Sequence, residues 1–194
     1  MRGGSFDVTL RLRLICHAPT AETRQTVFPT DQSLDSHARR KLKAIAFSPG
    51  MRSRCLTSPA LRAQETAEAL GLAAVVEEAL RDIDYGCWAG LWLDDICARD
   101  PQAVAAWLAD PHAAPHGGES VTGVLARVKA WMDDLADLEG SIIAVTHAAV
   151  IRAAVVHAVA GTPQSFWRID IAPLSIVTLS RNGSVWTVVE LRSL

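Results

Sequence analysis

A three-layer α/β/α fold, with a mostly parallel central sheet and a small inserted cap, is what this sequence predicts. Apolar runs of strand period alternate with runs of helical period along the chain. Two histidines and the arginine of an early helix fall just after predicted strands. One stretch, residues 84–118, mixes Gly, Pro and Trp with less regular periodicity, as an insertion over a sheet edge would. At 194 residues the chain fits one domain, 1–194, with residues 84–118 as its cap.

The first strand is expected over Val8–Cys16, where Val8, Leu10, Leu12 and Leu14 alternate with Arg11 and Arg13. Asp35–Phe47 carries Ala38, Leu42 and Ile45 at helical spacing among basic residues, the pattern of a surface helix. Arg54–Thr57 reads as a short strand leading into Ser58-Pro59, a capping hydroxyl before a proline at the first helical position. That helix runs through ALRAQETAEAL and stops at Gly71. Ala73–Val76 is a short apolar run, and Ser120–Leu138 is an amphipathic helix. Ile142–Thr146 is a buried strand, followed by a helix that ends at Gly161. Two β-rich runs around Asn182-Gly183 form a closing hairpin.

Composition narrows the function classes. Apolar residues make up 49% and charged residues 21%, as in a globular protein with a sizeable core. A formal net charge of −2 offers no attraction for nucleic acid or an anionic membrane surface. MRGGSFDVTL lacks the apolar core of a signal peptide. The apolar stretch Ala148–Ala160 is broken by Arg152 and His157 and is too short to span a bilayer. Cys16, Cys55, Cys87 and Cys97 form no CxxC pair, so free thiols in a reducing cytoplasm are expected.

In open α/β sheets, ligands gather beyond the carboxyl ends of the strands. His17 follows the first strand, Arg62 follows the second by way of Ser58, and His147 follows the strand at Ile142. Two histidines and an arginine at one sheet edge suit phosphoryl transfer. A neutral imidazole can attack phosphorus and hold the phosphoryl group covalently. Arginine matches phosphate oxygens bidentately. A carboxylic acid must protonate the leaving oxygen and later activate water, with Asp82, Asp84 and Glu119 as candidates.

These residues carry a family resemblance. LICHAPT resembles the LVRHGET motif of the histidine phosphatase superfamily, the branch that includes cofactor-dependent phosphoglycerate mutases. SPALRAQETAEALG resembles its second motif, and LRDIDYGCWAGL is similar to the LxEIDFGxWEG segment of small bacterial members. PHGGES and IAVTHAAVIRA complete an ordered set over roughly residues 8–160. The resemblance implies a phosphoglycerate mutase-like fold, His17 as phosphorylated nucleophile and His147 on the phosphoryl oxygens. It further implies Arg62 as phosphate clamp, Asp82 as general acid and Glu119 as a secondary pocket residue. No metal and no cofactor are expected, the partner is a small phosphorylated molecule, and a homodimer is left open.

The chain departs from that pattern where Arg-His-Gly becomes Cys16-His17-Ala18. Loss of a charge-assisted contact worth roughly 1.5–3 kcal/mol weakens the clamp by one to two orders of magnitude. Arg24 could reach back to fill the vacancy, and Ala18 would carry a strain of about 1 kcal/mol where glycine is usual. Asp82 is one methylene shorter than the glutamate it replaces. A degenerate member that binds an anionic ligand without turnover is therefore the second expectation. Two other chemistries fit worse. A cysteine phosphatase needs Cys-x5-Arg, whereas Cys16 and Arg24 have seven residues between them and no glycine in the loop. His112 and His116 are spaced as zinc ligands on a helix would be, but Pro111 and Pro115 oppose a helix there.

Overall fold

The computed structural model describes residues 10–50, 53–135 and 137–194. Val8, where the first strand was expected to begin, lies outside the described residues. Six strands form one mixed sheet: β1 (Leu10–Cys16), β2 (Ser53–Thr57), β3 (Val75–Val76), β4 (Gly140–Thr146), β5 (Ser175–Asn182) and β6 (Val185–Ser193). Their spatial order is β3-β2-β4-β1-β5-β6. The first four run parallel, and β5 and β6 close one side antiparallel, turning at Gly183 with φ near +57°.

Helices cover both faces, as the strand periodicity requires. Leu10, Leu12, Leu14 and Cys16 face α6 (Val121–Asp134) and α7 (Ala148–Ala158). Ile15, Ile143 and Val145 face α2 (Ser36–Lys43) and α3 (Leu61–Ala69). Between α1 (Ala21–Gln25) and β6 the chain thus builds the three layers expected. Capping fixes two helix starts where the sequence placed them. Asp35 accepts from the Ala38 amide, and Ser120 accepts from the Gly123 amide. α6 buries Val121, Val124, Val128, Trp131 and Met132, each contributing about 1.5–3 kcal/mol by leaving water. It ends at Asp134, short of the expected Leu138.

Residues 84–118 hold more regular structure than their periodicity suggested. α4 (Leu93–Arg99) and α5 (Pro101–Ala109) pack Trp88, Ile96, Val104 and Trp107 against Phe28, an apolar cluster distinct from the two sheet faces. Asp100 caps α5 through the Ala103 amide with Pro101 in the first turn. The block is tied down by two stretches of backbone lying almost in contact. Glu119 N–H donates to the Asp84 carbonyl at 2.8 Å, and Cys87 N–H donates to the His116 carbonyl at 2.9 Å. A Cβ on Gly118 would fall 2.1 Å from the Asp84 oxygen, and one on Gly86 would fall 2.1 Å from the His116 oxygen. Gly118 of PHGGES and Gly86 of DYG are thus fixed by this crossing, which sits two residues beyond Asp82.

Gly118→Ala should push the two strands of this crossing apart and lower stability by about 2–3 kcal/mol in urea denaturation. An unchanged midpoint would show that the loop yields at no cost and does not fix Asp82.

Candidate active site

Register places the chemistry. Cys16 pairs with Thr146 and Thr57 with Val145, so β1, β2 and β4 end at one level. The residues that follow, His17, Ser58 and His147, emerge side by side, and the backbone amides of His17 and Ser58 still donate to Thr146 and Val145. All three side chains are buried.

The His17 Nδ1 atom lies 2.7 Å from its neighbour's carbonyl, Ala18 O. A carbonyl only accepts, so Nδ1 carries the proton and Nε2 keeps its lone pair, turned to a cavity of about 370 Å³. Burial, then the neighbouring His147 and Arg62, depress the His17 pKa from 6.5 to about 3. His17 is therefore a neutral imidazole with one lone pair presented to the pocket. The two histidine rings meet edge to face at 5.1 Å.

Ala18 carries no backbone strain. The non-glycine residues with positive φ among those described are Thr26, Ala160 and Leu174, so the penalty expected for a missing glycine does not arise. Its N–H donates to Thr66 Oγ1 at 3.0 Å, and that hydroxyl donates in turn to the Arg62 carbonyl at 2.6 Å. Cys16 points away into the α6–α7 face, and burial, with Asp82 adding to it, pushes its thiol up to about 12. A thiol with that pKa is roughly one part in 10⁵ thiolate at neutral pH and is no nucleophile.

Asp82 gathers the rest. Its Oδ2 accepts from Arg62 Nη2 at 2.8 Å and lies 3.2 Å from His147 Nδ1, while its Oδ1 accepts from the Ile83 amide. The His147 Nδ1 faces Oδ2 but closes no hydrogen bond of good geometry. Burial alone would raise the Asp82 pKa, but His147 and Arg62 overturn that and hold the carboxyl well below its ordinary range. His147 is lowered by burial against the opposing pull of Asp82. Its Nε2 sits 2.7 Å from Ser58 Oγ.

Arg62 does not line the 370 Å³ cavity. It stands behind Asp82, its Nη1 donating to the Thr30 carbonyl at 2.7 Å and its Nε buried without a partner. Glu22 fixes that loop by accepting from both Thr30 N–H and Thr30 Oγ1.

Several expected residues stand elsewhere. Arg24 pairs with Asp35 on the surface at 3.1 Å and does not line the cavity, so it leaves the position of the missing arginine unfilled. Glu119 is held in a fork by Arg127, at 3.0 Å and 2.8 Å, with Arg81 at 3.4 Å. Arg127 also grips the carbonyls of Ala79 and Arg81, so Glu119 braces the segment before Asp82 and does not reach the pocket. The exposed Asp84 accepts from the Gly86 amide inside its own turn. Ser58, expected as the helix cap, is not the N-cap; α3 starts at Leu61 with no side-chain cap, and the Ser58 hydroxyl accepts from the Ala60 amide at 3.2 Å while also meeting His147. The cap faces the cavity with Tyr85, Leu93 and Trp107, whereas Trp88 is buried behind and Trp92 is exposed. Arg152, which the motif contained but the sequence did not single out, lines the cavity from α7.

A larger hollow of about 590 Å³ lies at the amino-terminal end of β1, lined by Arg11, Arg13 and Arg192 among others. It holds none of the histidines and is remote from the carboxyl edge where ligands of such sheets bind. Among the described residues, no group of three or more His, Cys, Asp or Glu is placed to hold a metal. No helix there is long and apolar enough to cross a membrane.

Comparison with known proteins agrees with this geometry. The family model described as histidine phosphatase superfamily (branch 1) matches residues 12–193. The "Bifunctional protein Rv2228c" of Mycobacterium tuberculosis is 30% identical over 194 residues, covering 93% of this chain and 53% of the relative. The chain thus spans about half the length of that relative. "Phosphoserine phosphatase 1" of Hydrogenobacter thermophilus is 27% identical over 153 residues, covering 76% of this chain and 70% of the relative. Among solved structures, mycobacterial glucosyl-3-phosphoglycerate phosphatase Rv2419c with VO3 superposes with a TM-score of 0.83 at 27% identity, over 95% of this chain and 99% of that one.

The neutral histidines have a thermodynamic consequence. Both have folded pKa values below the ordinary 6.5, so the unfolded chain binds more protons below that pH. Stability is fully present above pH 6.5 and falls as pH drops toward the folded values, by up to about 1.4 kcal/mol per pH unit for each histidine. Asp82 adds a loss of the same sign only below its ordinary 3.8. Urea midpoints at pH 7.5, 6 and 5 should decline, and His17→Asn should flatten the decline. Equal midpoints for the native protein across that range would contradict the assignment.

Proposed function

This chain belongs to branch 1 of the histidine phosphatase superfamily, and on that premise we propose that it hydrolyses a small phosphomonoester through a phosphohistidine at His17. The observation that carries the proposal is the His17 tautomer. With Nδ1 donating to the Ala18 carbonyl, the Nε2 lone pair is left available for attack on a ring that lines the cavity beside Asp82 and His147.

In the first step Nε2 attacks phosphorus and the ester P–O bond breaks. The leaving oxygen takes a proton from Asp82, which receives that proton from the monoanionic ester as it binds, the added negative charge in the pocket raising the carboxyl's proton affinity. In the second step the Asp82 carboxylate removes a proton from water, whose oxygen attacks phosphorus. The P–N bond breaks, inorganic phosphate leaves, and Asp82 is protonated again. His147 lines the cavity beside His17 and its Nδ1 has no hydrogen-bond partner, which supports it as a donor to the phosphoryl oxygens. The relatives named for phosphoserine and for glucosyl-3-phosphoglycerate support a small phosphorylated molecule as substrate. A net charge of −2 gives no support for nucleic acid, and four free cysteines support a reducing cytoplasm.

The altered Cys16-His17-Ala18 motif supports the competing reading of a phosphate binder without turnover. Phosphate release from p-nitrophenyl phosphate separates the two. The native protein should release phosphate and, quenched in alkali, should retain an acid-labile phosphoryl label. His17→Ala should lose the label and at least about 10³-fold in rate. Cys16→Ser should stay within about threefold, since the buried thiol takes no part. Neither label nor release from the native protein would leave the binder.

A further inference from the structure

The α2–α3 face of the sheet turns polar toward its amino-terminal end. Alternation puts Arg11, Arg13 and Ile15 of β1 on that one face. Register then sets three rows across it. Ile15 stands between Val145 and Ile176, all three buried under the helices. One row back, Arg13 stands between Ile143 and Thr178. In the next row Arg11 stands beside Ser141, which pairs in turn with Ser53. The hollow of about 590 Å³ opens over these two outer rows, with Arg192 of β6 also in its lining. At about 3.3 Å per residue along β1, Arg11 lies roughly 20 Å from His17.

The charges around the hollow do not cancel. Three arginines line it against one glutamate, and Glu190 is taken by Arg192 at 3.2 Å. Arg11 and Arg13 enter no ion pair among the described residues. Neutral groups hold Arg13 in place: its Nη2 donates to the Pro49 carbonyl and to Ser53 Oγ, and its guanidinium carbon lies 5.9 Å from the Phe47 ring centroid. Its Nε is buried without a hydrogen-bond partner. Burial, then the charge of Arg11, lower the Arg13 pKa, and Arg192 adds to the effect. Two like charges thus stand two residues apart on one face, a cost that an incoming anion would offset. Ser53, Ser141 and Thr178 line the same hollow and add hydroxyls beside the two cations.

We propose that this hollow is a second anion site, separate from the catalytic pocket, which binds a phosphate group between Arg11 and Arg13. The charge selects the ligand. A phosphate group carries about −1.5 to −2 at neutral pH and matches two guanidinium forks, whereas one carboxylate leaves a cation over. Free inorganic phosphate and the phosphoryl head of a small ester share this chemistry. Binding there does not depend on turnover at His17.

Titration of the ¹⁵N-labelled protein with inorganic phosphate, at ionic strength held constant with sodium chloride, reads the two sites apart. Saturable amide shifts are expected at Ser53, Ser141 and Thr178, besides any at Ala18 and Ala148 near His17. Arg11→Gln should weaken the first set at least about 10-fold and leave the second set and p-nitrophenyl phosphate hydrolysis within about twofold. The Arg11 side chain makes no hydrogen bond among the described residues, so this variant leaves the packing intact. Arg13→Lys, which keeps the charge but not the fork, should weaken binding less than Arg13→Gln. Where Arg13→Gln fails to fold, Arg11→Gln decides alone. Propylphosphonate separates the sources: shifts at the same three amides assign the site to an ester head, and silence there assigns it to free phosphate. Unsaturable shifts at Ser53, Ser141 and Thr178, or equal shifts with chloride alone, overturn the second site. So does phosphate binding at those amides that Arg11→Gln leaves unchanged.

Discussion

A buried carboxylate stays ionised only if the groups around it outweigh the hydration it has lost, and Asp82 satisfies that condition with the Arg62 cation and the His147 ring, which come from different parts of the chain. Arg62 comes from the first turn of α3 and His147 from the end of β4, 20 and 65 residues away in sequence. Removing Arg62 would leave a buried charge uncompensated, at a cost of about 3–5 kcal/mol. The packing around the site follows from this demand. Arg127 grips the carbonyls before Asp82, Glu119 neutralises Arg127, and the glycine crossing at Gly86 and Gly118 fixes the backbone after it. Thr30, held by Glu22, engages the other arm of Arg62.

This arrangement explains how the site can lack an arginine at position 16 and keep its shape. Cys16 fills a small apolar place under α7, with Leu14 and Ala149 in the same cluster, and none of the polar contacts around Asp82 pass through it. The substitution removes one source of positive charge and leaves the geometry of the histidines untouched. Arg24, the substitute that the sequence offered, has its charge balanced by Asp35 at the surface. The arginine that does face the cavity is Arg152, reached through the helix that His147 begins.

What could be read in the sequence is what depends on neighbours within a few residues. The period-two run at Leu10–Leu14 is buried against α6 and α7, and Asp35 and Ser120 cap the helices they precede. His17 and His147 were found because each follows a strand whose end is recognisable. Where sequence reading failed, a distant partner decided the role. Ser58-Pro59 looks like a helix start, but the hydroxyl is claimed by a histidine 89 positions away. Glu119 looks like a pocket acid until Arg127 is placed beside it. Ala18 looks strained only on the assumption that glycine serves a left-handed backbone there, and its φ is ordinary. α4 and α5 were hidden because α5 turns Val104 and Trp107 to its own small cluster and leaves Leu108 in solvent, which blurs the apolar stripe.

Charge balance in the pocket links binding to chemistry. At rest Arg62 and Asp82 cancel, His17 and His147 are neutral, and Arg152 contributes one positive charge. A phosphate ester brings about −1.5 to −2 at neutral pH. In the proposed reaction its arrival would leave the pocket short of positive charge and so raise the proton affinity of the Asp82 carboxyl. Asp82 is thus least able to hold a proton in the empty site, and on the proposed mechanism it would gain one as the ester binds, when the leaving oxygen requires it.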